Sequence, residues 1–206
     1  MAVTVPRSRV QALALELHTQ PVVDMSREQF LRFCQRNRDV RIERNAEGSI
    51  AVMAPTGGET GARSGRLFAA VFRWAEDDGS GVAFDSSTGF ELPNGAVRSP
   101  DAAWVARARL ERLPAEDKQG FLPLCPDFVI ELLSPSDSRA VVRRKMEEYR
   151  DNGARLGWLV DPGRRQVAIY RADGGAEQRT GSGVLTGESV LPGFVLDVAA
   201  IWKAGF

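Results

Sequence analysis

Asp101, Glu131 and Lys145 are the residues whose types and spacing suggest chemistry. Asp101 follows Pro100 at the start of an expected strand. About thirty residues later, Glu131 interrupts the apolar run of Phe128, Val129, Ile130, Leu132 and Leu133. A carboxylate in such a strand is expensive to bury without a partner. Strand alternation sets Val129, Glu131 and Leu133 on one face and Ile130 and Leu132 on the other. Two carboxylates on adjacent strands repel, which raises the cost of ionising both. A hard divalent cation relieves that repulsion. Mg²⁺ is the natural guest, because it takes oxygen ligands, keeps several waters and needs only one or two carboxylates beside substrate phosphate oxygens. Lys145 lies on an expected helix where Val142, Met146 and Tyr149 form an apolar stripe. It sits on or beside that stripe, while Arg143, Arg144, Glu147 and Glu148 read as outward charges. An ammonium leaning inward there would position or activate a water near a metal, or steady a scissile phosphate.

Composition narrows the alternatives. The chain has 206 residues and 43% apolar content, enough for one medium domain with a real core. Lys plus Arg and Asp plus Glu both sum to 27, and the pI is about 6.6. A globally basic nucleic-acid coat is excluded, whereas a local basic groove is not. The cations are 24 Arg and only 3 Lys, at 118, 145 and 203, so a well-placed lysine stands out. His18 is the only histidine, which excludes multi-His metal sites. Cys34 and Cys125 form no CxxC pair, so a disulfide framework or zinc knuckle is not expected, and both read as buried apolar residues. No stretch approaches the roughly 20 apolar residues of a membrane span. A soluble, cytoplasmic protein is expected.

These residues need elements to position them. Residues 7–18 read as a short helix, and Ser26 opens another. Residues 40–44 and 49–53 read as strands joined by the turn Asn45-Ala46-Glu47-Gly48. A long helix is expected over 59–77, from Leu67, Phe68, Val71, Phe72, Trp74 and Ala75. Strands follow at 81–85, 88–92, 99–105 and 126–133. The last is nearly all apolar, as a strand covered on both faces would be. Ser134 and Ser136 read as caps of a helix over 139–151, which Asn152-Gly153 ends. Strands at 156–161 and 166–170 and a last element at 194–198 complete the pattern. The order predicts an α/β (α+β) fold with a mixed central sheet flanked by helices.

Several segments together resemble the Uma2 family, a branch of the PD-(D/E)XK nuclease superfamily. They are Pro100-Asp101, the run from Pro126 to Ser136, Lys145-Met146-Glu147-Glu148-Tyr149 with Gly153, and Trp158-Leu159-Val160-Asp161-Pro162. The resemblance is densest over 100–162. It implies a restriction-endonuclease-like core over 39–206, behind a helical extension at 1–38. It also implies Mg²⁺-dependent hydrolysis of DNA phosphodiesters, with Mn²⁺ as a substitute. By position, Asp101 and Glu131 match the two acids of the superfamily pattern. Leu133 stands where that pattern has lysine, and Lys145 matches a lysine moved to the following helix. Glu43 matches an upstream acid that would hold a second metal or assist the first. Asp101, Glu131 and a backbone carbonyl near Leu132 would hold the metal. Relatives begin the long helix with a histidine; here Glu59 or Arg63 would have to substitute. A homodimer is expected from the resemblance and from the apolar tail of Ile201, Trp202 and Phe206.

Plainer readings stand beside these. Asp101 can be a turn residue after proline, Glu131 half of a buried ion pair, Lys145 a solvated helix charge, and Glu43 the partner of Arg41. Asp127 reads as a strand-entry residue outside the metal set. Tyr149 and Trp158 read as core. Arg139, Arg143 and Arg144 form a basic cluster, either a phosphate-contacting edge or a solvated face. The competing function is a catalytically silent nuclease-fold module that binds nucleic acid or protein. Zero net charge favours that module; the acidic pair with its lysine favours the enzyme.

Overall fold

The computed structural model describes residues 15–203. In chain order its elements are β1 (Leu15–Leu17), α1 (Arg27–Arg36), β2 (Arg41–Arg44), β3 (Ile50–Met53), α2 (Gly58–Asp78), β4 (Gly81–Asp85), β5 (Phe90–Glu91), β6 (Val97–Arg98) and β7 (Ala102–Ala106). Then come α3 (Arg107–Glu111), a 3-10 turn at Asp117–Gln119, β8 (Phe128–Leu132), α4 (Arg139–Asp151), β9 (Leu156–Asp161), β10 (Gln166–Arg171), β11 (Ala176–Thr180), β12 (Val184–Thr186), β13 (Val195–Asp197) and α5 (Ala199–Trp202).

The central sheet has six strands in the order β11-β10-β9-β8-β7-β4. Only β8 and β9 pair in parallel, with α4 as their crossover, and the other pairs are antiparallel. This is the mixed sheet that the order of elements predicted. Strand β8 is buried along its whole length, so its alternation sorts residues between two cores. Phe128, Ile130 and Leu132 meet Leu67, Val71 and Ala75 of α2 on one face. Val129 and Leu133 meet Met146 and Tyr149 of α4 on the other. Gly157 on β9 lets α4 approach closely: a Cβ there would lie 2.6 Å from the Met146 methyl and 3.2 Å from Val129 Cγ2.

A second sheet, in the order β1-β3-β2-β6-β5, carries the upstream acid. Its Ile42, Ile50 and Val97 pack on Phe30 of α1. That helix is started by a capping box between Ser26 and Gln29. Because Ile42 turns toward α1, Glu43 turns away from it by alternation.

Three local expectations change. Leu15–Leu17 is a strand paired with β3, not part of a helix over 7–18. Leu15 and Leu17 lie opposite Val52 and Ile50, so the two-residue period of Leu-Glu-Leu prevails. Residues 7–14 fall outside the described residues. The cap of α4 is Ser138, without a side-chain bond. Ser134 and Ser136 instead hydrogen-bond each other at 2.9 Å, and the Ser134 amide donates to Asp137. The strand expected at 88–92 shortens to Phe90–Glu91. Ile201 lies in the chain's own core with Trp202 packed against it, and Phe206 falls outside the described residues. Among the described residues, no helix is long and apolar enough to cross a membrane.

Candidate active site

Strands β7 and β8 pair antiparallel, with Ala102 opposite Ile130 and Ala103 opposite Val129. Extended by one residue, this register sets Asp101 across from Glu131 on the α4 face of the sheet. Asp101 Oδ2 accepts the Leu132 amide at 2.8 Å, which ties the end of β7 to the end of β8. Glu131 is only 6% exposed.

Lys145 reaches this pair from α4. Its Nζ lies 2.8 Å from Glu131 Oε1 and 2.8 Å from Glu43 Oε1. Helical spacing puts Tyr149 four residues further along the same side, and its buried hydroxyl donates to Glu131 Oε1 at 2.9 Å. The ammonium also lies 5.9 Å from the centre of the Tyr149 ring. Glu43 Oε1 takes the Ser99 amide at 2.9 Å as well, and Arg98 stands 3.5 Å from its Oε2. Arg98 is itself fixed by Glu148 at 2.6 Å and Asn45 at 2.7 Å. Arg41 lies between two of the acids, 3.6 Å from Glu43 and 3.7 Å from Asp101. The structure therefore brings Asp101, Glu131, Lys145 and Glu43 into one constellation.

The acids are not equivalent. Burial works to raise Glu43, but Lys145, then Arg41 and Arg98, outweigh it and pull its pKa down to about 2. Burial also raises Glu131, and there Lys145 is its main opposition while Asp101 and Glu43 push it further up. The pKa of Glu131 thus lies above the ordinary carboxylate range although it touches the same ammonium. Burial likewise raises Asp101 against Arg41, the Leu132 amide and Lys145. Burial opposes the charge on Lys145, yet Glu131 and Glu43 prevail and hold its pKa above the usual lysine value. Thiol chemistry is remote: burial pushes Cys125 up to about 12 and Cys34 up to about 11.

The donor set suits a hard cation in kind. Asp101 and Glu131 are carboxylates that face each other across β7 and β8, and both the Tyr149 hydrogen bond and the Lys145 ion pair end on Glu131 Oε1. The Leu132 amide points at Asp101, and within a strand the N–H and C=O of one residue share an edge, so its carbonyl opens on the same side. These oxygens fit Mg²⁺ or Mn²⁺. Among the described residues no three His, Cys, Asp or Glu side chains gather as a metal-holding group. Glu43 is instead occupied by Lys145, Ser99 and Arg98.

Other residues depart from their sequence reading. Glu148 was expected to point outward; it turns in to hold Arg98 and Asn94, because Arg98 is 8% exposed and needs a counter-charge. Leu133 takes the core position its type suggests. Asp127 accepts the Ala106 amide and pairs with Arg109, away from the acidic pair. Arg63 bonds the Ile201 carbonyl and Glu59, so both of the residues considered in place of the relatives' histidine are engaged there. Arg139 pairs with Asp161. Arg98 and the hydroxyl of Tyr149 had no site role in the sequence. The signal for Tyr149 was its spacing from Lys145, masked by an aromatic character that reads as core.

The Uma2 family model, described as "Putative restriction endonuclease", matches residues 27–199. No curated protein matches the chain. A crystal structure from Anabaena variabilis, described as "a putative nuclease belonging to DUF820", superposes with a TM-score of 0.72 at 19% identity. The match covers 88% of this chain and 99% of the other. At that identity the likeness concerns the fold.

Proposed function

The chain belongs to the Uma2 family, and from that premise we propose that it is a metal-dependent endonuclease hydrolysing DNA phosphodiester bonds at the Asp101–Glu131–Lys145 site. The observation that carries this reading is the Lys145 ammonium, set 2.8 Å from Glu131 beside the facing Asp101. Asp101, Glu131 and the Leu132 carbonyl would hold Mg²⁺ or Mn²⁺. Such an ion, when bound, lowers the pKa of its water and neutralises charge on the phosphate. Lys145 keeps its proton and presents N–H groups that orient a water or a phosphate oxygen. Glu43 anchors that ammonium from the opposite side; we assign it this role rather than that of a second metal ligand. The Tyr149 hydroxyl fixes Glu131 at Oε1. A homodimer would let two such sites cut two strands, and light scattering of the purified protein tests it.

The test is plasmid nicking with Mg²⁺ and Mn²⁺ by the wild type, Asp101→Ala and Glu131→Ala. Both variants are expected to lose cleavage, and undiminished cutting by either would sink the assignment. The silent binding module is favoured by one observation: each of the three acids is already opposed by an internal cation. A Mn²⁺ thermal-shift titration separates the two readings. A working site stabilises the fold by about 2.7 kcal/mol at a hundredfold excess over Kd, and a silent one leaves the melting curve in place.

A further inference from the structure

Arg41 is held differently from the other cations of the site. Strand β2 carries it two residues before Glu43, on the same face. Its guanidinium spans Glu43 at 3.6 Å and Asp101 at 3.7 Å. Both separations exceed the roughly 2.7–2.9 Å of a closed charge-assisted hydrogen bond. Lys145, in contrast, closes to 2.8 Å on both of its acids. Among the described residues, three buried side-chain polar atoms lack a hydrogen-bond partner: Arg41 Nε and the indole nitrogens of Trp104 and Trp158. Of these, only Arg41 is charged. The Arg41 head group thus lacks the closed bonds that fix Lys145 and Arg98. The Arg41 side chain is 31% exposed, against 13% for Lys145 and 10% for Arg98. Nε is turned inward, and the two terminal nitrogens are left with loose contacts only.

A planar guanidinium with free donors matches two oxygens of a phosphate by paired hydrogen bonds, which an ammonium cannot copy. We propose that Arg41 is a catalytic residue that grips the non-bridging oxygens of the scissile phosphate through its two terminal nitrogens, beside Asp101. This assignment rests on the hydrolytic reading above. In the reaction a water adds across the P–O bond: its oxygen joins phosphorus, the bond to the sugar oxygen breaks, and a proton ends on that leaving oxygen. Arg41 neither gains nor loses a proton. It offsets the negative charge gathering on the phosphate oxygens as the bond order changes.

The test compares the wild type with Arg41→Ala, Arg41→Lys and a control, Arg73→Ala, which removes a charge from the exposed side of α2. Anisotropy of a fluorescein-labelled 20-base-pair duplex is read in EDTA across a salt series, so that binding is measured without cleavage. Arg41→Ala is expected to bind about tenfold more weakly, with the slope of log K against log salt reduced by about 0.9, the value for one phosphate contact. Arg73→Ala should match the wild type. In the nicking assay, Arg41→Lys, which keeps the charge against Glu43 and Asp101, should bind with the wild-type slope yet cut at least tenfold more slowly. Wild-type affinity and slope in Arg41→Ala overturn the contact, as does a wild type that does not bind DNA. Full cutting by Arg41→Lys overturns the paired grip. A wild type that binds DNA and never cuts sinks the hydrolytic reading alone, and the salt slope still decides whether Arg41 holds a phosphate.

Discussion

The ammonium of Lys145 joins Glu43 to Glu131, standing 2.8 Å from an oxygen of each, although the two acids belong to different sheets. One helix side chain thus ties the five-stranded sheet to the six-stranded one at the candidate site. Removing it leaves two buried carboxylates without their common partner. Lys145→Ala is expected to destabilise the fold by about 3–5 kcal/mol, the usual cost of breaking a buried pair from one side. Urea denaturation at pH 7 measures this. A loss under about 1 kcal/mol would mean that the contact is solvated and of little structural weight.

Tyr149→Phe keeps the ring in the core and deletes only the hydroxyl that donates to Glu131. A hydrogen bond to a charged group contributes about 1.5–3 kcal/mol, and a loss in that range is expected. Nicking should fall as well, because Glu131 then keeps only Lys145 to fix Oε1. Combining Tyr149→Phe with Lys145→Ala should cost less than the two single losses together, since both act on one oxygen.

The acids predict opposite pH signatures. The pKa of Glu43 is depressed from 4.5 to about 2, so its stabilisation is fully present above the unfolded value and is lost as pH falls toward 2. Glu43→Gln should therefore differ most from the wild type near neutral pH, and the gap should close between about pH 5 and pH 2. Glu131 and Asp101 are raised, so deprotonating them costs the folded state stability as pH climbs through their folded values. Denaturation profiles of the metal-free protein across about pH 2–8 check both signs, and parallel wild-type and Glu43→Gln stability curves would count against the first.

Much of this arrangement was legible in the sequence because it was local. The boundaries of β8, β9 and α4 follow from apolar runs and a Ser-rich loop, and Glu131 stood out because its neighbours are apolar. The pairing of β7 with β8 was harder to see, since register depends on contacts across about thirty residues. Arg98 and Glu148 escaped for a related reason: each looks like an ordinary surface charge until the fold buries them against each other. Strand β11 is fully exposed and polar, so it carried no apolar alternation to read.

Gly157 supports the site from beneath. A methyl there would meet the Met146 methyl at 2.6 Å and Val129 at 3.2 Å. Gly157→Ala should push α4 off the sheet at a cost of about 1–3 kcal/mol. Because Lys145 precedes Met146 on that helix, nicking should drop by more than the stability loss explains. Equal nicking rates in folded wild type and variant would show that α4 tolerates the displacement.

The reactive groups are mounted on separate supports. Glu131 stands on β8 and Asp101 immediately before β7, strands locked by burial on both faces, whereas Lys145 stands on a helix that rests on one face only. A lysine at Leu133 would share the strand's rigidity and could not move independently of the acids. Carried on α4, the ammonium can be tuned by substitutions along that helix while Asp101 and Glu131 keep their register. Sequence change along α4 can therefore move the cation of this cluster while the strand register that sets its two facing acids stays in place.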